Sequence, residues 1–287
     1  MGSHALAGSF DPSWLAIRDE AGISLAEAMR AFGLDPLQIG RAKRPTGGVL
    51  AYLEPHIEQG PVLESLALPV GVVTAICGAT RGRFHLKGLA GHAGTVPMGQ
   101  RCDALAGAAE MMQTIESIAT TRSIVATVGQ VAVHPNAVNV IPGEVTFTLD
   151  LRAEQDALRN EALSAVDRSI AQIAERRGLS WDSETFHQSP SVQCAPQLQS
   201  VIADVIGEQG IPIHALPSGA GHDAMAIAPI APVAMLFVRC TGGISHNPAE
   251  SVMPEDAAVA ARVLLGVLDR LATTAVFGIS GTIPKIT

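Results

Sequence analysis

The chain is short of aromatic residues, of cysteine and of positive charge, and it has no long uninterrupted apolar run. Phe, Trp and Tyr make up 3% of the 287 residues while hydrophobic residues make up 47%, so a sizeable core has to be built from Ala, Val, Leu and Ile. Lys and Arg number 19 against 27 Asp and Glu, a formal net charge of -8. That balance argues against a nucleic-acid partner, because binding phosphates along a strand rests on clustered Lys and Arg. It leaves room for a small anionic substrate, which needs only one or two placed cations. The 4 cysteines, Cys77, Cys102, Cys194 and Cys240, include no C-x-x-C pair. In a chain of this length they read as reduced thiols of a cytoplasmic protein and not as a disulfide scaffold. The most apolar stretch, Ala224 to Val238, is cut by Pro229 and Pro232 and is shorter than the roughly 20 residues of a membrane span. The N-terminus lacks a charged-then-apolar leader. The expectation is a soluble protein with no membrane partner.

What is present is an alternation of helical and strand-like segments. Ser24 with Glu27 forms a capping box, and Gly33 ends the helix it opens. Val49 to Ile57 predicts a buried strand in which Pro55 removes one ladder bond. From about Thr80 the pattern changes. Strands are predicted at Arg83–Gly88, Ser123–Val133, Glu144–Arg152 and Leu179–Phe186, with helices over Asp103–Ala119 and Ala153–Arg177. The strand at Glu144 alternates cleanly, with Val145, Phe147, Leu149 and Leu151 on one face and Thr146, Thr148, Asp150 and Arg152 on the other. This β-α-β-β-α-β order predicts a ferredoxin-like α+β unit. After Pro190 a helix over Gln197–Glu208, a buried strand at Val233–Val238 and a long helix over Glu255–Ala272 follow. The expected organisation is an α/β domain in two pieces, residues 1–79 and 191–287, interrupted by an inserted domain at 80–190. Few strands lie outside the insertion, so the outer domain reads as incomplete, and the tail from Thr273 reads as peripheral.

Five local clusters bear chemistry-capable residues. His56-Ile57-Glu58-Gln59-Gly60-Pro61 closes a predicted strand; a neutral imidazole there suits a borderline metal, although a His beside a Glu in a tight Gly-Pro turn is more often structural. In Gly243-Ile244-Ser245-His246-Asn247-Pro248, His246 follows a buried strand, where open α/β sheets place ligands; a plain helix-entry loop is the other reading. Gly91-His92-Ala93-Gly94 lets the His92 ring stand clear, as a donor to a developing oxyanion would, or is an ordinary Gly-rich turn. Asn139 and Arg152 lie on or near a polar strand face, and a guanidinium there is able to grip a carboxylate or simply be solvated. Ser218-Gly219-Ala220-Gly221-His222-Asp223 precedes a short helix whose first amides favour an anion. His222-Asp223 suggests a triad fragment without a nucleophile elbow.

In combination and order, HIEQGPVLE, GHAGTVPM, NVIPG with a following DLR, SGAGHDAMA and GISHNPAE resemble the amidase, hydantoinase and carbamoylase branch of the M20 hydrolases, over about Gly2 to Ala272. The pairing of SGAGHDAMA with MLFVRCTGGISHNPAE resembles allantoate amidohydrolases most. The resemblance implies an incomplete metallopeptidase-like catalytic domain carrying an inserted lid and dimerisation domain, hence a homodimer. It implies a divalent metal pair, Mn or Zn, with His56 on one ion and His246 on the other. It assigns Gln59 to substrate near the metals, and His92 to polarising the scissile carbonyl. Asn139 and Arg152 go to the substrate carboxylate, and the amides of Gly219, Ala220 and Gly221 to the substrate.

The family's upstream His, bridging Asp and Glu-Glu pair have no counterpart here. His4 lacks an Asp two residues on, and neither Glu54 nor Glu58 matches the missing positions. With one His per ion and neither the bridging carboxylate nor the base, this chain alone is expected to bind metal poorly and to be inactive or incomplete as an enzyme. The expected reaction is hydrolysis of a C–N bond in a small anionic ureido acid, allantoate first and N-carbamoyl-L-amino acids second. A truncated, non-enzymatic dimerisation protein and a split enzyme completed by another chain are the alternatives.

Overall fold

The computed structural model describes residues 1–45 and 47–273; Thr46 and the tail beyond Thr273 lie outside the described residues. The strands are β1 Tyr52–Ile57, β2 Val70–Ile76, β3 Gly78–Lys87, β4 Gly91–His92, β5 Val125–Thr127, β6 Val131–His134, β7 Val140–Ile141, β8 Glu144–Ala153, β9 Ser180–Ser189, β10 Val192–Gln193, β11 Ala215–Ser218 and β12 Val233–Val238. The helices are α1 Gly2–Ala7, α2 Leu25–Ala31, α3 Val62–Ser65, α4 Ala104–Arg122, α5 Asp156–Arg177, α6 Pro196–Glu208, α7 Asp223–Ile227 and α8 Pro254–Thr273. The chain divides into two compact units, one built from Met1–Ile76 and the residues from Gln193 on, the other from Cys77–Val192.

The first unit is organised on a mixed sheet of order β1-β12-β2-β10, with β11 also on β2. Every residue of β12 is buried, as expected of a strand covered on both faces. It runs parallel to β1, in register from Tyr52 opposite Val233 to Ile57 opposite Val238. β1 ends the strand order, so Pro55, which has no N–H to give, is tolerated there. Val70, Val72, Leu198, Ile202, Leu236, Val263 and Val267 form an aliphatic core beneath α6 and α8, which is how a chain with so few aromatics fills this space. The capping box forms as expected: Ser24 Oγ accepts from the Glu27 amide, and Glu27 accepts from the Ser24 amide. Arg239, just past β12, holds the buried Asp256 at the start of α8 through two bonds of 2.8 and 2.9 Å. A charge-assisted fork of this kind fixes where the loop after β12 begins. The departure at Ile76 and the return at Gln193 are close neighbours, since the Cys194 amide donates to the Thr74 carbonyl at 3.0 Å.

The second unit has the predicted β-α-β-β-α-β order on a sheet arranged β5-β8-β3-β9, with β6 continuing beside β8. β8 alternates as read: Val145, Phe147, Leu149, Leu151 and Ala153 are buried and the residues between them are not. Val145, Phe147, Leu149 and Leu151 pack with Phe84 and Leu86 of β3, Met111 of α4, and Val166 and Ile170 of α5. One expectation is corrected. Ser123–Val133 is not a single strand; pairing to β8 steps from Thr127 opposite Asp150 to Val131 opposite Phe147, which leaves one extra residue beside Gly129. The Gln130 amide is satisfied there by Thr148 Oγ1, so the break is a bulge that bends the strand.

A buried clasp closes the second unit at its chain ends. Arg159 on α5 is 1% exposed, pairs with Asp156 at 2.8 Å and donates to the Ser189 carbonyl at 2.8 Å. Asp156 also accepts from the Ser191 amide at 2.9 Å. A Cβ at Gly78 would stand 2.0 Å from Arg159 Nη1, so only glycine fits the first residue of β3.

No helix among the described residues is long and apolar enough to cross a membrane.

Candidate metal and substrate site

The C-terminal ends of the parallel pair β1 and β12 place His56 and the loop carrying His246 on the same side of the first unit. His56 Nδ1 lies 2.8 Å from the Ile57 carbonyl. A carbonyl only accepts, so this contact puts the ring proton on Nδ1 and leaves the Nε2 lone pair for a ligand. Gln59 and His246 both adopt left-handed backbone conformations, with φ of 59° and 55°. Non-glycine residues held there carry strain that the surroundings must enforce. The Gln59 side-chain Nε2 donates to Ser245 Oγ at 2.7 Å, and the His246 backbone amide donates to the Glu250 carboxylate at 3.1 Å. Gly243, at φ 62°, lies so close to the Gly60–Pro61 turn that a Cβ would meet Gly60 C at 2.7 Å. His56, Gln59, His246, Asn247 and Glu250 thereby line one concavity of about 570 Å³.

Glu58, beside His56 in sequence, is spent elsewhere: its two carboxylate oxygens accept from the Val62 and Leu63 amides at 2.7 and 2.8 Å, capping α3. Glu54 is different. It shares a strand face with His56, two residues away, because side chains alternate along a strand. Its Oε2 accepts from the Ala224 amide at the start of α7 at 2.9 Å, and its Oε1 lies 3.4 Å from His222 Nδ1. Ligand atoms of Glu54, His56 and His222 all lie within 4.8 Å of one another. The two imidazole rings meet edge to face at 4.6 Å and 72°. His222 Nε2 is bonded to the buried Ser218 hydroxyl at 2.6 Å. Its Nδ1 is buried with no well-formed hydrogen bond, and 3.4 Å to Glu54 is a marginal contact. Burial would push the Glu54 carboxyl up, but the His222 contact, the Ala224 amide and the two nearby imidazoles outweigh it and hold it below its ordinary value. The neighbouring Tyr52 phenol is pushed up to about 12 by burial and by Glu54 and Asp223, and stays neutral.

The pairing of Glu54 and His222 with His56 escaped sequence reading. The i, i+2 spacing of Glu54 and His56 was the available signal for one partner. The approach of His222 depends on α7 docking against β1, which no spacing announces. Two imidazoles and a carboxylate, one imidazole nitrogen orphaned and another left free by a backbone bond, suit a borderline divalent ion; His56 is the member of this group that the motifs place on a metal.

Gly219, Ala220 and Gly221 form the loop from β11 to α7; the Ala220 amide donates to Ser218 Oγ at 3.2 Å. The other expected residues belong to the second unit. His92 is exposed on β4, opposite Val140 of β7. Its Nδ1 accepts from the Gly94 amide at 3.0 Å, so the proton sits on Nε2 and that edge is a donor. The Asn139 carbonyl accepts from the Ala93 amide at 3.0 Å, tying the two loops together. Arg152 stands on the separate sheet of β8, where Asp150 takes its Nε and Nη2 at 2.8 and 2.7 Å, and Asp150 also accepts from Arg81 at 2.9 Å.

Peptidase family M20/M25/M40 matches residues 19–270. An N-carbamoyl-L-amino acid amidohydrolase of Geobacillus stearothermophilus is 43% identical over 95% of this chain and 67% of its own length. An allantoate deiminase of Arabidopsis thaliana is 40% identical over 94% of this chain and 57% of its own. The crystal structure of an amidase of the hydantoinase/carbamoylase family from Burkholderia multivorans superposes with a TM-score of 0.86 at 36% identity, covering 94% of this chain and 66% of that one. The chain thus spans roughly three fifths to two thirds of the length of the curated relatives it matches. With a match over most of its length and relatives at this identity, the chain belongs to peptidase family M20/M25/M40.

Proposed function

We propose that the chain serves metal-dependent hydrolysis of a C–N bond in a small anionic ureido acid, with allantoate as the substrate. The observation that carries this reading is the concavity in which His56, with its Nε2 free, and His246 stand together beside Gln59. Its support in sequence is the N-carbamoyl-L-amino acid and allantoate chemistry in the names of its relatives. His56 and His246 would hold the divalent metals, Mn or Zn. Such ions, when bound, supply Lewis acidity and an acidified water. Gln59 orients the ureido group. His92, protonated on Nε2, donates to the carbonyl oxygen as charge develops on it. Arg152, exchanging Asp150 for the substrate, grips the carboxylate, and Asn139 bonds beside it. The amides of the Gly219–Gly221 loop add further contacts to the substrate.

Hydrolysis of N-carbamoyl-L-amino acids is the second reading, favoured by the 43% identity to the Geobacillus stearothermophilus protein. Ammonia release from allantoate and amino-acid release from an N-carbamoyl-L-amino acid, each with added Mn or Zn, separate the two. Turnover of allantoate that His246→Ala removes supports the first reading. Turnover of the carbamoyl substrate alone establishes the second, and turnover unchanged in His246→Ala refutes the metal role of that residue. We further propose that the inserted unit acts as the lid and joins two copies into a cytoplasmic homodimer.

A further inference from the structure

The buried corner behind His56 holds more donors than one imidazole needs. His222 has a side chain 1% exposed, with Nε2 committed to Ser218 and Nδ1 unpartnered. Glu54 Oε2 accepts from the Ala224 amide, and its Oε1 approaches His222 Nδ1 only to 3.4 Å. His56 keeps Nε2 available while Nδ1 faces a carbonyl. We infer that Glu54, His56 and His222 bind one divalent cation, Zn or a close analogue, through one carboxylate and two imidazoles. This deepens the metal reading of His56 given above and rests on it only for that one ligand; Glu54 and His222 are additional.

The donor set is that of a three-ligand zinc site with an open fourth position. Each ligand already has its supporting partner: the Ile57 carbonyl for His56, the Ser218 hydroxyl for His222 and the Ala224 amide for Glu54. The carbonyl bond fixes the His56 ring and raises its basicity, and the other two bonds hold His222 and Glu54 in orientation. Ligand atoms on one zinc, at bonds of about 2.0–2.2 Å, stand about 3.5 Å apart. The present span of up to 4.8 Å therefore closes by roughly 1 Å, within the reach of small side-chain rotations. An ion here also gives the orphaned His222 Nδ1 a partner.

The test uses the full chain, freed of metal, titrated with Zn by calorimetry and with Co by its visible absorption, with no substrate present. We expect one ion bound per chain with the absorption of a low-coordinate site. Glu54→Gln, which keeps the shape and the bond to the Ala224 amide, and His222→Gln should each weaken that binding at least tenfold. His246→Ala should leave the Glu54-dependent ion in place. Circular dichroism and a thermal melt on each variant confirm folding, and Glu54→Gln stands in if His222→Gln fails to fold. Unchanged affinity in a folded Glu54→Gln or His222→Gln, or no binding by the folded parent, overturns the inference. Loss of the ion in His246→Ala but in neither other variant also overturns it, leaving Glu54 and His222 a buried polar pair. Because no turnover is measured, this outcome is separate from failure to hydrolyse a ureido acid.

Discussion

Replacing Gly243 by alanine tests whether the loop carrying His246 is truly seated on the turn that follows His56. Two costs add at this position. The left-handed φ of 62° costs an L side chain about 1 kcal/mol. The new Cβ would also meet Gly60 C at 2.7 Å and Pro61 N at 2.9 Å. Both are backbone atoms, so the loop has to move, and overpacking of this kind costs about 2 kcal/mol more. Its neighbour supplies the control. Gly242 has almost the same φ, 65°, but a Cβ there only touches the Ile244 side chain at 3.4 Å. Gly242→Ala should therefore cost about 1 kcal/mol and Gly243→Ala about 3 kcal/mol, or melting shifts of about 3 and 9 °C in a unit of this size. The assay is a thermal melt of both variants with a Zn titration alongside. Gly243→Ala should also weaken any ion that depends on His246, while Gly242→Ala leaves it alone. Equal melting shifts in the two variants would refute the close approach, because the conformational term is common to both.

Gly78→Ala should destabilise the second unit by about 2 kcal/mol, because the Cβ drives the buried Arg159 guanidinium from the half-exposed Asp156 and from the Ser189 carbonyl. Arg159→Met should cost less, since an apolar side chain of similar length does not leave a displaced charge; urea unfolding ranks the two. Arg239→Met strands the buried Asp256 carboxylate and should cost about 3 kcal/mol in the same assay. A fourth expectation concerns pH. Bonding to Arg152 outweighs partial burial, and with Arg81 it holds the Asp150 carboxyl below its ordinary value. A depressed folded-state value contributes stability above the unfolded value of about 3.9 and loses it as pH falls toward the folded one. The stability difference between the parent and Asp150→Asn should therefore be constant above pH of about 5 and shrink as pH falls below about 4.

Much of this architecture was legible because its signals are local. The alternation from Val145 to Leu151 and the capping at Ser24 depend on residues a few positions apart, and the structure repeats them. The bulge at Gly129 was not legible, since alternation survives on both sides of an inserted residue. The grouping of His56 with His246 could be anticipated from long motifs taken in order. The Glu54–His222 approach could not, because it arises from α7 docking across 170 residues of sequence. Glu58 shows the opposite hazard: adjacent to His56 in sequence, it is consumed by the first amides of α3.

The left-handed backbone at Gln59 and His246 has a bearing on how this protein responds to selection. At both positions glycine would relax the main chain, by about 1 kcal/mol each, and would also erase the side chain to which a substrate or metal role is proposed. A library screened for heat resistance alone will thus drift toward glycine at these two sites and return proteins that are sturdier and chemically blank. Selection for turnover will retain the strained residues. Where the two screens disagree marks, without any assay of mechanism, the places at which this fold has given up stability for chemistry.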